Sequence, residues 1–585
     1  MFKLLKNLTI KDVILLILSL IFIVCQVYFD LEIPDYMSEI TKLVQTEGSA
    51  MSDVLIAGGK MLLCAFGSLV ASILVTVFAS KVGTNFTANI RKKIFVKVQD
   101  FSLEEMSKFS TASLITRTTN DTIQIQNFMV MGLQVIFRAP IMAIWAILKI
   151  YNKNSEWTIT TATAVCLLAV VVIICIIIAV PKYKKIQTLT DNLNRVTREN
   201  LNGIKVVRAY NAEQYQEDKF DKYNSELTKD NTIANRSLAF MSPSIQLTMN
   251  GLSLAIYWIG AILINNASMP DKLTLFSDMI VYSSYAIQVV MAFMMLVMAF
   301  IMLPRAFVSA KRINEILDTK VNIVDGSLED KNNNTKGLIE FNNIYFTYPN
   351  AKESVLKNIS FTAKKGQTVA FIGSTGCGKS TIVNLIPRFF DATSGEIRID
   401  NVDIKDYKLN ELRNKIGYVS QASFLFKGTI KSNVAFGDNG KKEELVNNVN
   451  NALEVSEATE FVSGLEKKTE GYVAQNGTNF SGGQKQRISI ARAIAKNPEI
   501  LIFDDSFSAL DYKTDRKVRE NIKKKCKGVT TLIVAQRIGT IRDADEIIVL
   551  EDGEIVGKGK HDELMKNCDV YKQIALSQLS KEELA

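Results

Sequence analysis

The sequence predicts a chain of two parts, an α-helical membrane half followed by a soluble α/β domain. Long apolar runs are confined to the first half of the 585 residues, and a β-rich stretch begins at Leu338. A polar, Asn-rich stretch at 319–337 separates the two parts and is typical of a linker. We therefore predict a transmembrane domain at 1–318, a linker at 319–337 and an α/β domain at 338–585, because the length exceeds that of one compact domain.

The first half contains six apolar segments long enough to span a bilayer, which takes about 20 helical residues. We place them at 12–30, 54–80, 128–150, 157–180, 241–266 and 276–304. The connections at 81–127 and 181–240 are too long and too charged to be turns. We expect them to continue the membrane helices beyond the bilayer, each pair of extensions joined by a short crossing piece.

The charges predict how the chain is oriented. Lysines precede the first segment, and basic residues follow the second, fourth and sixth. An acidic loop is expected after the first segment, with Asp30, Glu32 and Asp35. The positive-inside rule then puts both termini and the α/β domain in the cytosol of a multi-pass cell-membrane protein. The same rule explains the net charge of +9 without a nucleic-acid partner. Usage rich in Lys, Asn and Ile predicts a bacterial source.

A phosphate-binding loop is predicted where the strand at 368–372 meets a helix beginning near Thr381. Its residues are Gly373, Ser374, Thr375, Gly376, Cys377, Gly378, Lys379 and Ser380. The glycines let backbone N–H groups wrap a phosphate at a helix N-terminus. Lys379 would reach the β- and γ-phosphates, and Ser380 would bind Mg²⁺. A second strand ends in Asp504 and Asp505, and Asp504 would be the second Mg²⁺ anchor.

Between these two motifs lie four further residues, Ser481, Gly482, Gly483 and Gln484, which open a helix rich in Arg and Ala. With them the chain resembles ATP-binding cassette proteins, in which this motif closes over ATP held by an opposite cassette. The resemblance implies that Tyr348 stacks on adenine, that Thr381 belongs to the nucleotide loop, that Gln421 contacts Mg²⁺ and that Asp511 lies in a loop touching the partner cassette. The stretches 113–121 and 199–208 are similar to the cytosolic extensions of exporter-type members.

Two positions depart from the family pattern. Asp505 stands where the family has a Glu general base, and Gln536 stands where it has a switch histidine. The single histidine, His561, lies past the catalytic core. This combination resembles the degenerate-site subunit of a heterodimeric multidrug exporter. The resemblance implies a partner subunit with the Glu and the His, whose hydrolytic site is completed by this chain's signature motif. Drift that leaves a slower but working site is the simpler alternative.

The substrate is expected to be a drug or another lipophilic or amphipathic compound. Met291, Met294, Met295 and Met298 fall on one face of the sixth segment and are candidates to line a substrate cavity, although helix packing explains them equally. Arg138 in the third segment is another candidate, or it reaches the cytosolic interface or a helix end. A lipid or peptide exporter subunit and a regulatory ATP-binding subunit stay open as alternatives.

Overall fold

The computed structural model describes residues 2–46, 48–151, 155–328, 336–349, 351–437 and 442–578, without the side chains at 2, 133, 184, 269, 270, 299–302 and 304. The chain divides into two compact units. The described parts of Met1–Gln99 and Thr111–Asp318 form the membrane unit, and those of Asp100–Ser110 and Thr319–Ala585 form the cassette unit. The predicted domain bounds stay predictions, and 329–335 of the expected linker lie outside the described residues.

Long helices dominate the first 318 residues. They are α1 (Phe2–Leu5), α2 (Ile10–Gln45), α3 (Met51–Gln99), α4 (Leu103–Lys108), α5 (Thr111–Thr118), α6 (Asn120–Asn127), α7 (Leu133–Tyr151), α8 (Ser155–Asn202), α9 (Ile204–Ala209), α10 (Glu213–Ala239), α11 (Met241–Asn266) and α12 (Met269–Asp318), with a π-helical turn at Phe128–Gly132. Among the described residues, six helical stretches are long and apolar enough to cross a membrane, which confirms the six predicted spans. Several of the helices continue far past their apolar part, since α3 and α8 have 49 and 48 residues.

The acidic loop expected after the first span is wrong. Asp30, Glu32 and Asp35 lie inside α2, which continues to Gln45 despite Pro34. Two cations on α7 explain why a helix tolerates these carboxylates. Arg138 pairs with Asp30 at 3.0 Å, and Lys149 pairs with Glu32 at 3.1 Å and with Asp35 at 2.5 Å.

The described part of the cassette unit contains three sheets. Its strands are β1 (Ile339–Phe346), β2 (Leu356–Ala363), β3 (Thr368–Gly373), β4 (Ser394–Ile399), β5 (Val402–Asp403), β6 (Ile416–Val419), β7 (Gly428–Thr429), β8 (Tyr472–Val473), β9 (Ile500–Asp504), β10 (Thr530–Val534), β11 (Glu546–Glu551) and β12 (Glu554–Gly559). The main sheet has the order β12-β11-β3-β10-β9-β6, parallel from β11 to β6 and antiparallel at β12. An antiparallel sheet of order β2-β1-β4-β5 and the pair β7-β8 complete the unit.

Helices fill the connections between these strands. They are α13 (Lys379–Leu385), α14 (Leu409–Asn414), α15 (Ile430–Val434), α16 (Lys442–Asn447), α17 (Val449–Val455), α18 (Thr459–Ser463), α19 (Gly482–Ala495), α20 (Tyr512–Lys525), α21 (Ile538–Ile541), α22 (His561–Asn567) and α23 (Asp569–Gln578). Strand β9 is buried along its whole length. Leu501 and Phe503 pack into the core on one face of the main sheet, and Ile500 and Ile502 pack into the core on the other face. The carboxyl ends of the parallel strands β3, β9 and β10 therefore meet at one edge of a sheet that is covered on both faces.

Candidate nucleotide site

The predicted phosphate loop lies between β3 and α13, at the carboxyl edge of the main sheet. Gly376 and Gly378 have φ of 90° and 97°, a backbone conformation in which glycine avoids the strain of a side chain. The Lys379 ammonium lies within the loop, where its Nζ donates to the carbonyl oxygens of Gly373 at 2.8 Å and Ser374 at 2.6 Å. Ser374, Thr375 and Gly376 are exposed at the tip, while Cys377 is buried behind them. The loop therefore presents its tip to solvent and holds its cation in place from within.

A pair of oxygen donors lies beside this loop. The Ser380 hydroxyl donates to Oδ1 of Asp504 at 2.6 Å, and the Tyr418 hydroxyl is 3.4 Å from Oδ2 of the same carboxylate. Burial raises the pKa of Asp504, and its hydrogen bonds with Ser380 and Tyr418 oppose that rise. Within the described residues no three or more His, Cys, Asp or Glu side chains converge on a metal site. Ser380 and Asp504 instead fit a hard cation such as Mg²⁺, which takes few protein oxygens and completes its shell with water and phosphate.

Asp505 lies at the centre of a second group of side chains, which joins three of the predicted site residues. Its Oδ2 accepts hydrogen bonds from the side-chain amides of Gln421 at 3.2 Å and Gln536 at 2.9 Å. Asp505 has φ of 47°, a left-handed conformation that Asp adopts more readily than most residues. Burial raises the pKa of its carboxyl group, and the Gln421 hydrogen bond acts in the opposite direction. The sequence identified these three positions, but it did not indicate that both glutamines bond to the same carboxylate oxygen.

The predicted adenine residue lies in an aromatic cluster. The ring of Tyr348 meets those of Phe346 and Phe390 edge to face, with centroids 4.8 and 5.3 Å apart. Its hydroxyl forms a 3.0 Å hydrogen bond with that of Thr381, so Thr381 connects this aromatic ring to the start of α13. Sequence reasoning missed Phe346, Phe390 and also Tyr418, because aromatic residues at scattered positions carry no motif.

The signature residues form a separate group. Ser481 caps α19: its backbone N–H donates to Oε1 of Gln484, and its hydroxyl accepts from the Gln484 N–H. Gly482 is exposed, and a Cβ placed there would meet nothing within 4 Å, while one at Gly483 would approach the Ala509 carbonyl oxygen at 3.3 Å. Among the described hydrogen bonds none joins Ser481 or Gln484 to the phosphate loop. Asp511 is exposed and caps α20 through the Thr514 N–H. The signature helix thus begins at an exposed turn, where the Ser481 cap occupies the Gln484 N–H.

Arg138 and the methionines belong to the membrane unit. Arg138 pairs with Asp30 at 3.0 Å, and Asp30 also accepts from the Ser68 hydroxyl at 2.5 Å, while the roles predicted for Arg138 stay predictions. The Gln288 side-chain amide donates to the Asp30 carbonyl at 3.3 Å. Met291 and Met298 are exposed, whereas Met294 and Met295 are half-buried.

The α/β unit contains a phosphate loop, an oxygen pair suited to Mg²⁺ and a capped signature helix, and the same chain contains six apolar helices. These features define an ATP-driven membrane transporter. Residues 356–508 match the family model described as ABC transporter, and residues 16–293 match that of the ABC transporter transmembrane region. The chain belongs to the ABC transporter family and is an exporter half-transporter that binds ATP.

Curated relatives and a solved structure agree with this assignment. The chain is 36% identical over 525 residues to an uncharacterized ABC transporter ATP-binding protein of Mycobacterium tuberculosis, covering 89% of this chain and 87% of that one. It is 32% identical over 507 residues to a Bacillus subtilis protein whose name assigns it to multidrug export (85% and 84% covered), and 31% identical over 521 residues to the ATP-dependent lipid A-core flippase of Syntrophus aciditrophicus (87% and 83%). A bacterial Atm1-family ABC exporter with ATP bound shares the fold, with a TM-score of 0.77, 24% identity and coverage of 97% and 98%.

Proposed function

We propose that this chain is one subunit of a heterodimeric exporter, and that its own ATP site binds nucleotide but hydrolyses it slowly. The observation that carries the proposal is the Asp505 group, in which an aspartate replaces the expected glutamate and a glutamine replaces the expected histidine. The partner subunit supplies an intact Glu and His, and both termini and the cassette unit lie in the cytosol of a bacterial cell membrane.

The site contains the residues that ATP binding requires. Lys379 would exchange its two loop carbonyls for the β- and γ-phosphates, and Tyr348 would stack on adenine. Ser380 and Asp504 would hold Mg²⁺ together with Gln421, which bonds to the adjacent Asp505. When bound, Mg²⁺ neutralises charge on the phosphate oxygens. The exposed tip of the phosphate loop leaves its backbone amides open to that ligand.

The catalytic half is weak for geometric reasons. A general base must reach the water from which it takes a proton, and the Asp505 carboxylate ends one methylene, or about 1.5 Å, short of a glutamate. Its Oδ2 is already bonded to two amides. Gln536 offers an amide where an imidazole could accept and return a proton. A loss of about 10²-fold or more in turnover follows from a misplaced base.

The signature motif points to a role on another chain. Ser481 to Gln484 form a capped, exposed helix end whose N–H groups favour an anion. This end would complete the partner's hydrolytic site, while Asp511 would contact the partner cassette from its exposed cap. Catalysis in the pair is then shared, and this chain contributes to it chiefly through α19.

Drugs or other lipophilic compounds are the favoured substrates. Exposed Met291 and Met298 offer a soft apolar surface on α12, and one relative is named for multidrug export. Lipid export is the second candidate, favoured by the relative named as a lipid A-core flippase. Because Arg138 is neutralised by Asp30, it is a weaker candidate for direct substrate contact than the methionines.

Restoring the two altered residues tests the proposal. The chain purified alone as a homodimer should hydrolyse ATP slowly, and a variant combining Asp505→Glu with Gln536→His should raise turnover by about 10²-fold. Asp505→Asn is the matched control, and it should bind ATP without raising turnover. Rapid hydrolysis and transport by the unaltered homodimer would rule the proposal out.

A further inference from the structure

A side chain near the C-terminus holds the loop that carries Gln536. The Nε2 amide of Gln578 donates to the backbone carbonyl of Gln536 at 2.7 Å, and its Oε1 accepts from the backbone N–H of Ile538 at 2.9 Å. One carboxamide thus bridges two backbone groups on either side of Arg537. A carboxamide offers a donor and an acceptor side by side, which suits such a two-point bond.

The helix that carries Gln578, α23, is anchored in the core of the cassette unit. Tyr571 and Ala575 of α23 are fully buried, and Gln578 follows them at positions i+7 and i+3 on the same helix face. The Tyr571 hydroxyl is 2.7 Å from Nδ1 of His561, which begins α22. Gln578 therefore projects from a fixed base toward the loop, although its own side chain is exposed.

The loop has other attachments as well. The Gln536 side chain donates to Asp505, and the Arg537 guanidinium donates to the carbonyls of Ser508 at 3.1 Å and Leu510 at 3.4 Å. Those bonds fix side chains of the loop, Ile538 is fully buried in the core, and the Thr540 N–H donates to the Arg537 carbonyl at 3.2 Å. Gln578 adds bonds to the backbone at both 536 and 538. Without Gln578, the backbone amide of Ile538 and the carbonyl of Gln536 would depend on solvent.

We propose that Gln578 is a positioning residue for the nucleotide site: it keeps the backbone at 536–538 in the conformation that aims the Gln536 amide at Asp505. This inference rests on the proposed function only in that the site binds ATP. The end of α23 thereby influences the nucleotide site through one side chain, and loss of that side chain should shorten the time for which nucleotide stays bound.

Hydrogen–deuterium exchange of the full-length chain in its membrane complex tests the bridge directly. In Gln578→Ala the Ile538 amide should exchange about 5-fold faster, as expected for the loss of one hydrogen bond. Gln578→Glu keeps the acceptor for the Ile538 amide but places an oxygen against the Gln536 carbonyl, which repels it. Exchange of the Ile538 amide should therefore rise in this variant too. Gln573→Ala, an exposed glutamine on the same helix, is the matched control and should leave exchange at 535–541 unchanged.

The dissociation rate of labelled ATP from this chain's site is the second readout. It should rise several-fold in Gln578→Ala and stay at the wild-type value in Gln573→Ala. Wild-type exchange at Ile538 in Gln578→Ala overturns the bridge, and faster exchange with unchanged ATP release overturns the positioning role. If Gln578→Ala fails to fold, Gln578→Glu supports the same comparison. The exchange readout is independent of whether the site hydrolyses ATP, so the two proposals fail separately.

Discussion

Asp505 combines three features that bear on catalysis in one residue. Its backbone is left-handed, its carboxylate is buried, and two glutamine amides bond to the same oxygen. Each feature alone is compatible with a working base. Together with the missing methylene they describe a carboxylate held by its neighbours, short of the position from which a family glutamate acts. The neighbouring Asp504 accepts from the Ser380 hydroxyl at 2.6 Å instead, and this oxygen pair is the one we propose for Mg²⁺.

Tyr348 allows a test of nucleotide binding at this chain's own site. Tyr348→Ala should weaken ATP binding by about 10-fold, since stacking of a base on an aromatic ring contributes about 1–3 kcal/mol. Tyr348→Phe keeps the ring and loses only the hydrogen bond to Thr381, so it should bind nearly as well as the unaltered chain. Equilibrium binding of a fluorescent ATP analogue measures both variants. Equal loss in the two variants would show that the hydroxyl matters and the stacking does not.

The motif residues were predictable because their chemistry is local. A strand, a glycine-rich turn and a helix follow one another within 368–385, and the Ser481 cap joins residues three positions apart. The contacts of Asp505 were not predictable, because its amide partners lie 84 residues before it and 31 residues after it. Gln578 is 42 residues from the loop that it bridges, and no motif marked it.

The length of helix α2 also depends on contacts between residues far apart in the sequence. Its start was foreseeable, since Thr9 and Asp12 form a capping box. Its length was not, because the acidic residues that suggested a loop are neutralised by Arg138 and Lys149, more than 100 positions away. An ion pair between helices can thus extend an element through a sequence that looks like its end.

A double-mutant cycle measures how strongly this pair joins α2 to α7. Arg138→Ala and Asp30→Ala should each lower thermal stability in lipid, and the double variant should lose less than their sum. We expect a coupling of about 1 kcal/mol, the size found for polar pairs between membrane helices. Gln134→Ala, which removes only a 3.4 Å hydrogen bond to Thr76 from the same region of α7, is the control. Strictly additive losses would mean that the ion pair does not join the two helices.

For the whole molecule, the main contrast is between the residues predicted to bind nucleotide and the two positions predicted to be catalytic. Ser380 and Asp504 form an oxygen pair beside the phosphate loop, the two positions predicted to be catalytic carry Asp505 and Gln536, and the signature helix begins at a capped, exposed turn. A chain with this combination is expected to depend on a second chain for hydrolysis and to be needed by that chain in return. The two-unit architecture and the six spans could be predicted from the apolar runs and the change of composition after them, whereas the proposed division of catalytic work depends on single side chains.

ATP turnover by the assembled pair, compared between two variants of this chain, tests the shared-site proposal. Gly482→Asp places a carboxylate where a Cβ meets nothing within 4 Å, so this chain should fold while its signature repels the partner's nucleotide. That variant should lose about 10²-fold or more in turnover. Asp505→Asn should change turnover by less than about 2-fold while both variants still bind ATP. A large loss in Asp505→Asn together with nearly unchanged turnover in Gly482→Asp would contradict the proposal.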